Sequence, residues 1–170
     1  MKGLRFFLAG LLLAVLTSAL GCRSGLGQVS GLMLWLDIPS EVSAGGVVPL
    51  TLKVKNISAR PIVLGHASPA YNFIITRPDG TEVWRHTMGR LDIILSKTVL
   101  PGEELNFTAE WDQRELKWDE HHGPVKGDLV PPGTYWVQGI FHGNLFEKVY
   151  TGGAQDLKTR PKQLVIKPSD

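Results

Sequence analysis

Trp118-Asp119-Glu120-His121-His122 is the densest run of side chains with chemical potential in the chain. Imidazole and carboxylate groups suit zinc and related ions. Adjacent histidines do not easily converge on one ion, and no helical i, i+4 pair or distant Cys/His partner completes a ligand set. The run therefore reads as solvated loop, and no metal is assigned. His66, His86 and His142 stand singly and read as strand-surface or satisfied core residues. Serine chemistry has no Gly-x-Ser-x-Gly turn to support it. The carboxylate pairs Glu103-Glu104 and Asp119-Glu120 are immediate neighbours, which on a strand point to opposite faces. The glycines form no phosphate-binding loop. These residues predict neither an enzyme nor a cofactor.

Cys22 is the only cysteine, which rules out an intrachain disulfide. It follows a leader pattern. Lys2 and Arg5 precede an apolar run from Phe6 to Leu16, interrupted only by Gly10, and Ala19-Leu20-Gly21-Cys22 closes it. That run falls short of the roughly 20 residues a spanning helix needs, and small residues end it, as in a secretory signal. Ala19-Leu20-Gly21-Cys22 looks like a lipobox with its first two residues exchanged. It predicts a signal over 1–21 and lipidation of Cys22. A flexible Ser/Gly-rich tether over 22–30 and a folded body over 31–168 would follow. The chain is expected to be exported, on the outer face of the cell membrane or in the periplasm.

The chain has 170 residues and a formal net charge of +2, from 18 basic and 16 acidic side chains. Lys2 and Arg5 account for the excess, so the body is balanced. A neutral, mixed surface gives no clustered basic face for nucleic acid. A body of roughly 140 residues buries about two-thirds of its unfolded surface and needs no staple.

The body must be built from strands. Val48-Pro49-Leu50-Thr51-Leu52-Lys53-Val54-Lys55 and Leu105-Asn106-Phe107-Thr108-Ala109-Glu110-Trp111-Asp112 alternate apolar and polar without a break. This is the signature of a strand with one buried face. Pro49 places the start of the first near an edge or bulge. Tyr71–Thr76 and Thr81–His86 flank Arg77-Pro78-Asp79-Gly80, a hairpin turn. Further strands are expected at Leu32–Ile38, Pro61–His66, Leu91–Leu95, Thr134–His142, Phe146–Tyr150 and Gln163–Lys167. No segment carries a sustained helical period. The fold class is all-β, an antiparallel immunoglobulin-like sandwich of about seven to nine strands. Pro132-Gly133-Thr134-Tyr135 resembles the tyrosine corner of such sandwiches.

Asp112 to Pro132 is left as a roughly 20-residue connection without clear strand character, longer than compact domains usually allow. Long loops on rigid scaffolds often bind partners, so Arg114, Leu116, Lys117 and Trp118 are the candidate contacts with a protein partner. Trp118 is expected to cap the core, with an interface anchor as the other reading. Trp111 is expected in the core, and Trp84 and Trp136 in strands. Asn56-Ile57-Ser58 and Asn106-Phe107-Thr108 match the glycosylation pattern by coincidence.

Five motifs, in order and spacing, resemble the BsuPI-type proteinase inhibitor family. They are Tyr71-Asn72-Phe73-Ile74-Ile75, Asp79-Gly80-Thr81-Glu82-Val83-Trp84-Arg85, Leu100-Pro101-Gly102-Glu103-Glu104, Trp111-Asp112 and Pro132-Gly133-Thr134-Tyr135. The resemblance covers roughly residues 47–142. It implies an immunoglobulin-like domain and inhibition of subtilisin-like serine proteinases. The chain departs from an intracellular family in its leader, and the shared motifs specify turns and core, not an inhibitory loop. Two functions follow as expectations. One is an envelope lipoprotein whose sandwich binds a protein, with inhibition of a serine proteinase as one form of that binding. The other is a non-inhibitory envelope lipoprotein holding another envelope protein or a surface polymer.

Overall fold

The computed structural model describes residues 27–29, 31–89, 91–146 and 156–169, without the side chains of 27–29, 91 and 92. Cys22 and the leader lie outside the described residues, as does most of the strand expected at Phe146–Tyr150. Thirteen strands are present among the described residues. One sheet has the order β1 (Gly27–Val29), β2 (Leu32–Asp37), β4 (Val48–Asn56) and β8 (Glu104–Trp111). The second has the order β3 (Glu41–Ser43), β13 (Lys162–Lys167), β11 (Gly133–Leu145), β5 (Ile62–Thr76) and β6 (Glu82–Arg85). Beside this path β12 (Leu157–Lys158) pairs with β11, and β7 (Leu91–Val99) pairs with β5. β9 (Arg114–Asp119) and β10 (Gly123–Leu129) form a separate two-stranded ribbon. Every pairing is antiparallel except β13 with β3.

The alternating runs lie where their pattern requires. Val48, Leu50, Leu52 and Val54 are buried, and β4 pairs with β8 from Val48 opposite Trp111 to Lys55 opposite Glu104. β2 pairs only with Thr51–Asn56. Pro49 therefore sits where β4 has a neighbour on one side, and its missing N–H breaks no ladder on the other. The opposing layer supplies Leu64, Phe73, Ile75, Val137, Phe141, Leu164 and Ile166, all fully buried. Ring contacts join the layers, Phe107 with Phe141 at 5.6 Å and Trp111 with Tyr135 at 5.9 Å. Each such side chain contributes about 1.5–3 kcal/mol by leaving water. The architecture is a β-sandwich.

The two punctuation signals form as expected. At the hairpin between β5 and β6, the Arg77 N–H donates to Thr81 O at 2.8 Å and the Gly80 N–H to Arg77 O at 2.9 Å. Gly80 has φ +86°, a conformation that glycine adopts without steric cost. Tyr135 is buried and its hydroxyl donates to Pro131 O at 2.7 Å, which completes the tyrosine corner.

Three expectations require correction. Pro61–His66 and Tyr71–Thr76 are one strand, β5, which changes its neighbour from β7 to β6 along its length. Gly27–Val29, placed in the tether by composition, pairs with Leu32–Leu34 on the open edge of β2. The connection from Asp112 to Pro132 is no loop. Most of it is the β9–β10 ribbon, joined from Gly123 opposite Asp119 to Leu129 opposite Arg114 with a bulge after Lys126.

Candidate functional site

The ribbon projects from the sandwich on a base that five contacts hold. Gln113 turns the chain out of β8 with φ 58°, a left-handed conformation a non-glycine residue enters at a cost of about 1–3 kcal/mol. Its fully buried side chain meets that cost. Oε1 accepts from Gly45 N–H at 2.9 Å, and Nε2 donates to Ser43 O at 2.8 Å. Gln113 O also accepts from Val130 N–H at 2.8 Å, so the same residue ties the outgoing and returning strands together at the base. The Trp111 indole N–H donates to Arg114 O at 2.9 Å, and the Arg77 guanidinium pairs with Glu115.

Cross-strand charges stiffen the ribbon. Lys117 Nζ lies 2.7 Å from Asp128, Lys126 Nζ 2.6 Å from Asp112, and the Arg114 guanidinium donates to Gly127 O at 3.2 Å. The Lys126 hydrogen bond holds the Asp112 carboxyl below its ordinary value, and that of Lys117 does the same for Asp128. At the tip, one Asp119 oxygen accepts from the N–H groups of His121 and His122 and contacts His122 Nδ1 at 2.8 Å. The two backbone N–H groups, foremost that of His121, lower the Asp119 carboxyl. Asp119 thus acts as a turn residue. The two imidazole rings stand 6.5 Å apart at 87°. Among the described residues no group of three His, Cys, Asp or Glu side chains is placed to hold a metal ion.

Strand alternation divides the four candidate contacts. Arg114, Leu116 and Trp118 share one face of β9, and Lys117 takes the other. Trp118 is 68% exposed, so the expectation that it caps the core fails. It stands opposite Pro124, at the distal end of a strand that never crosses the sandwich. Toward the base, Arg114, Leu116 and Lys126 face Trp84, His86 and Met88 across a cleft of about 220 Å³. Nothing in the residue order marked β6 and the residues just after it as this second wall. Trp84 and His86 lie close to the buried Trp111 and to Tyr71 respectively, at 6.3 and 5.3 Å between ring centroids. The wall therefore rests on core aromatics. Desolvation lowers the pKa of His86.

A larger cleft of about 290 Å³ opens at the seam between the sheets, over Leu64, Leu105, Phe107 and Phe141, with Lys97 and Glu103 beside it. Asn56 is a buried plug and no glycosylation acceptor. Its amide donates to Arg60 O and Val99 O, and its carbonyl accepts from Ser58.

The fold and the ribbon together define a β-sandwich with one braced, exposed arm. The profile of the BsuPI family, described as an intracellular proteinase inhibitor, matches residues 38–145, and the chain belongs to that family. Membership of an inhibitor family accords with a chain that is not an enzyme and implies a proteinase as partner. No curated protein matches the chain. Among solved structures, a β-glucosidase from Listeria innocua is similar at 15% identity with TM-score 0.39, over 79% of this chain and 16% of that one. A CARDB domain from Pyrococcus furiosus is similar at 11% identity with TM-score 0.42, over 80% of this chain and 87% of that one. An alkylpurine DNA glycosylase from Pseudomonas fluorescens gives 10% and 0.39, over 81% and 31%. The chain thus spans about a sixth of the length of the β-glucosidase it matches.

Proposed function

We propose that this protein is an exported, lipid-anchored proteinase inhibitor whose β9–β10 ribbon engages a subtilisin-like serine proteinase. Residues 1–21 act as the signal and Cys22 carries the lipid. The body over 31–168 then stands on the outer face of the cell membrane or in the periplasm. The leader pattern and the solitary cysteine support the anchor, and the family match supports inhibition.

The observation that carries the choice of ribbon is its braced base beneath an exposed Trp118. A proteinase cleft takes its target as an extended strand. An inhibitor gains affinity when that strand is already ordered, because less entropy is lost on binding. Here Gln113, the Arg77–Glu115 pair and the Trp111 indole brace the extended segment where no disulfide is available.

The test is titration of the purified protein against subtilisin-like and trypsin-like proteinases. Stoichiometric loss of activity, with the ribbon intact, is the expected result. Cleavage within Arg114–Asp119 without inhibition ends the inhibitor reading. Recovery of another envelope component in a pulldown, with proteinases unaffected, would put the non-inhibitory lipoprotein in its place.

A further inference from the structure

The cleft at the base of the ribbon has apolar surface on both walls. Trp84 and Met88 supply it on the side of β6, and Leu116 and Pro124 on the ribbon. Pro124 pairs with Trp118 and Lys126 with Leu116. Residues directly opposite in an antiparallel pair share a face, so all four turn to the same side. Neither wall can collapse on the other. Trp84 rests against the buried Trp111, and Gln113 with the Arg77–Glu115 pair holds the ribbon away. A cavity kept open in this way loses little entropy on being filled. At about 220 Å³ it is smaller than the roughly 300–1,000 Å³ of sites for drug-sized ligands, so it suits a side chain.

Charge narrows the choice of side chain. Five charged residues line the cleft, Arg85, Asp112, Arg114, Glu115 and Lys126. Four of them are matched within the chain. Lys126 holds Asp112 at 2.6 Å, Arg77 pairs with Glu115, and Arg85 engages both oxygens of Glu82. His86 adds no charge near pH 7, because desolvation lowers its pKa. Arg114 is the exception. Its guanidinium donates to the Gly127 carbonyl at 3.2 Å and has no carboxylate partner among the described residues. Asp128, which feels its charge, is bonded to Lys117. A guanidinium fork carries five N–H donors and pairs best with a carboxylate.

We propose that this cleft is a second contact for the proteinase, receiving an aliphatic side chain next to an aspartate or glutamate that pairs with Arg114. The proposal rests on the inhibitor reading and adds the chemistry of the enzyme surface that the ribbon meets. Arg114 and Trp118 lie on one face of β9, four residues or about 13 Å apart. One partner surface can therefore cover the exposed tryptophan and the cleft together.

The test separates the cleft from the inhibition. Three doubly blocked dipeptides, acetyl-Leu-Asp-amide, acetyl-Leu-Asn-amide and acetyl-Leu-Lys-amide, are added to the full chain in non-ionic detergent. Magnetic resonance follows the Trp84 indole N–H and the Met88 methyl. The Asp peptide should shift both signals and bind about fivefold more tightly than the Asn peptide, the margin of a charge-assisted over a neutral hydrogen bond. The Lys peptide should bind least. Arg114→Gln should erase the preference for Asp with the circular dichroism spectrum unchanged. Met88→Lys, at a position 46% exposed and outside the core, should weaken binding of the Asn peptide as well. Equal binding of the Asp and Asn peptides overturns the proposal, as do shifts that spare Trp84 and Met88. An intact Asp preference without inhibition of any proteinase would keep the ligand of the cleft and sink the inhibitor reading alone.

Discussion

The Arg77 guanidinium, at the β5–β6 turn, is paired with the Glu115 carboxylate, in the second residue of β9. The contact ties the ribbon to a hairpin of the sandwich 38 residues earlier. Both side chains are partly exposed, so the pair is worth about 0.2–1 kcal/mol in global stability. Its effect is on position. Glu115→Gln should leave the denaturant midpoint nearly unchanged while raising the rates of amide exchange and proteolysis within Arg114–Leu129. Unchanged local exchange would show that Gln113 and Trp111 suffice.

Gln113→Ala is expected to be far more damaging. The substitution keeps the left-handed backbone but leaves the Gly45 N–H and Ser43 carbonyl without their side-chain partner. Both bonds are part-buried and Ser43 O keeps the Gly46 N–H, so each lost hydrogen bond costs about 0.5–1.5 kcal/mol. A urea titration should show the loss of both bonds, and the ribbon should lose its fixed orientation.

Two glycines of β11 set how closely the strands approach. A Cβ on Gly139 would lie 2.8 Å from Leu36 Cδ2 and 3.0 Å from Leu52 Cδ1, both ends of movable side chains. A Cβ on Gly143 would strike the Gly65 carbonyl and approach Phe141 Cε1 at 2.7 Å. Overpacking costs about 1–3 kcal/mol. Gly143→Ala should reach or exceed the upper end because backbone must move, and Gly139→Ala should stay near the lower end. Denaturant unfolding of both variants checks the order.

Trp118→Ala separates binding from folding. The ring is exposed and supports nothing in the core, so the melting temperature should stay within about a degree. Truncating a hot-spot tryptophan costs about 2 kcal/mol or more, so inhibition of the target proteinase should weaken at least tenfold. An inhibition constant equal to that of the native protein would place the contact elsewhere on the ribbon.

Acid acts on two regions in sequence. His86 is lowered from its ordinary value of 6.5 by desolvation, so the unfolded chain takes up its proton first. Stability from this residue is complete above that value and declines as pH falls through it toward the lower folded value. Asp112, Asp119 and Asp128 are lowered from 3.8. Their contribution is present above 3.8 and is lost only as pH falls through the depressed folded values. Ribbon amides should thus stay protected at about pH 5 and lose protection in stronger acid. His86→Phe should flatten the first decline alone, measured as melting temperature against pH.

Much of the sandwich was legible because burial leaves a period in the sequence. Val48–Val54 and Leu105–Trp111 have one face in the core, so every second residue is apolar. The turn at Arg77–Gly80 and the corner at Tyr135 depend on local backbone chemistry that Pro, Asp, Gly and Tyr state directly. The ribbon was missed for the converse reason. Arg114-Glu115-Leu116-Lys117-Trp118-Asp119 has solvent on both faces, and a strand with no buried face shows no alternation. What holds it is charge and hydrogen bonding across the pair, which has no period.

The amino-acid order alone determined the two layers, their inward residues, the balanced charge of the body and the four residues to watch on one segment. Only the tertiary structure decided that three of those four share a face, that Trp84, His86 and Met88 stand opposite, and that Gln113 fixes the angle between ribbon and sandwich. Those facts depend on groups 15 to 70 positions apart meeting in space. Local propensity carries no record of such meetings, because the core that brings them together forms from the whole chain at once.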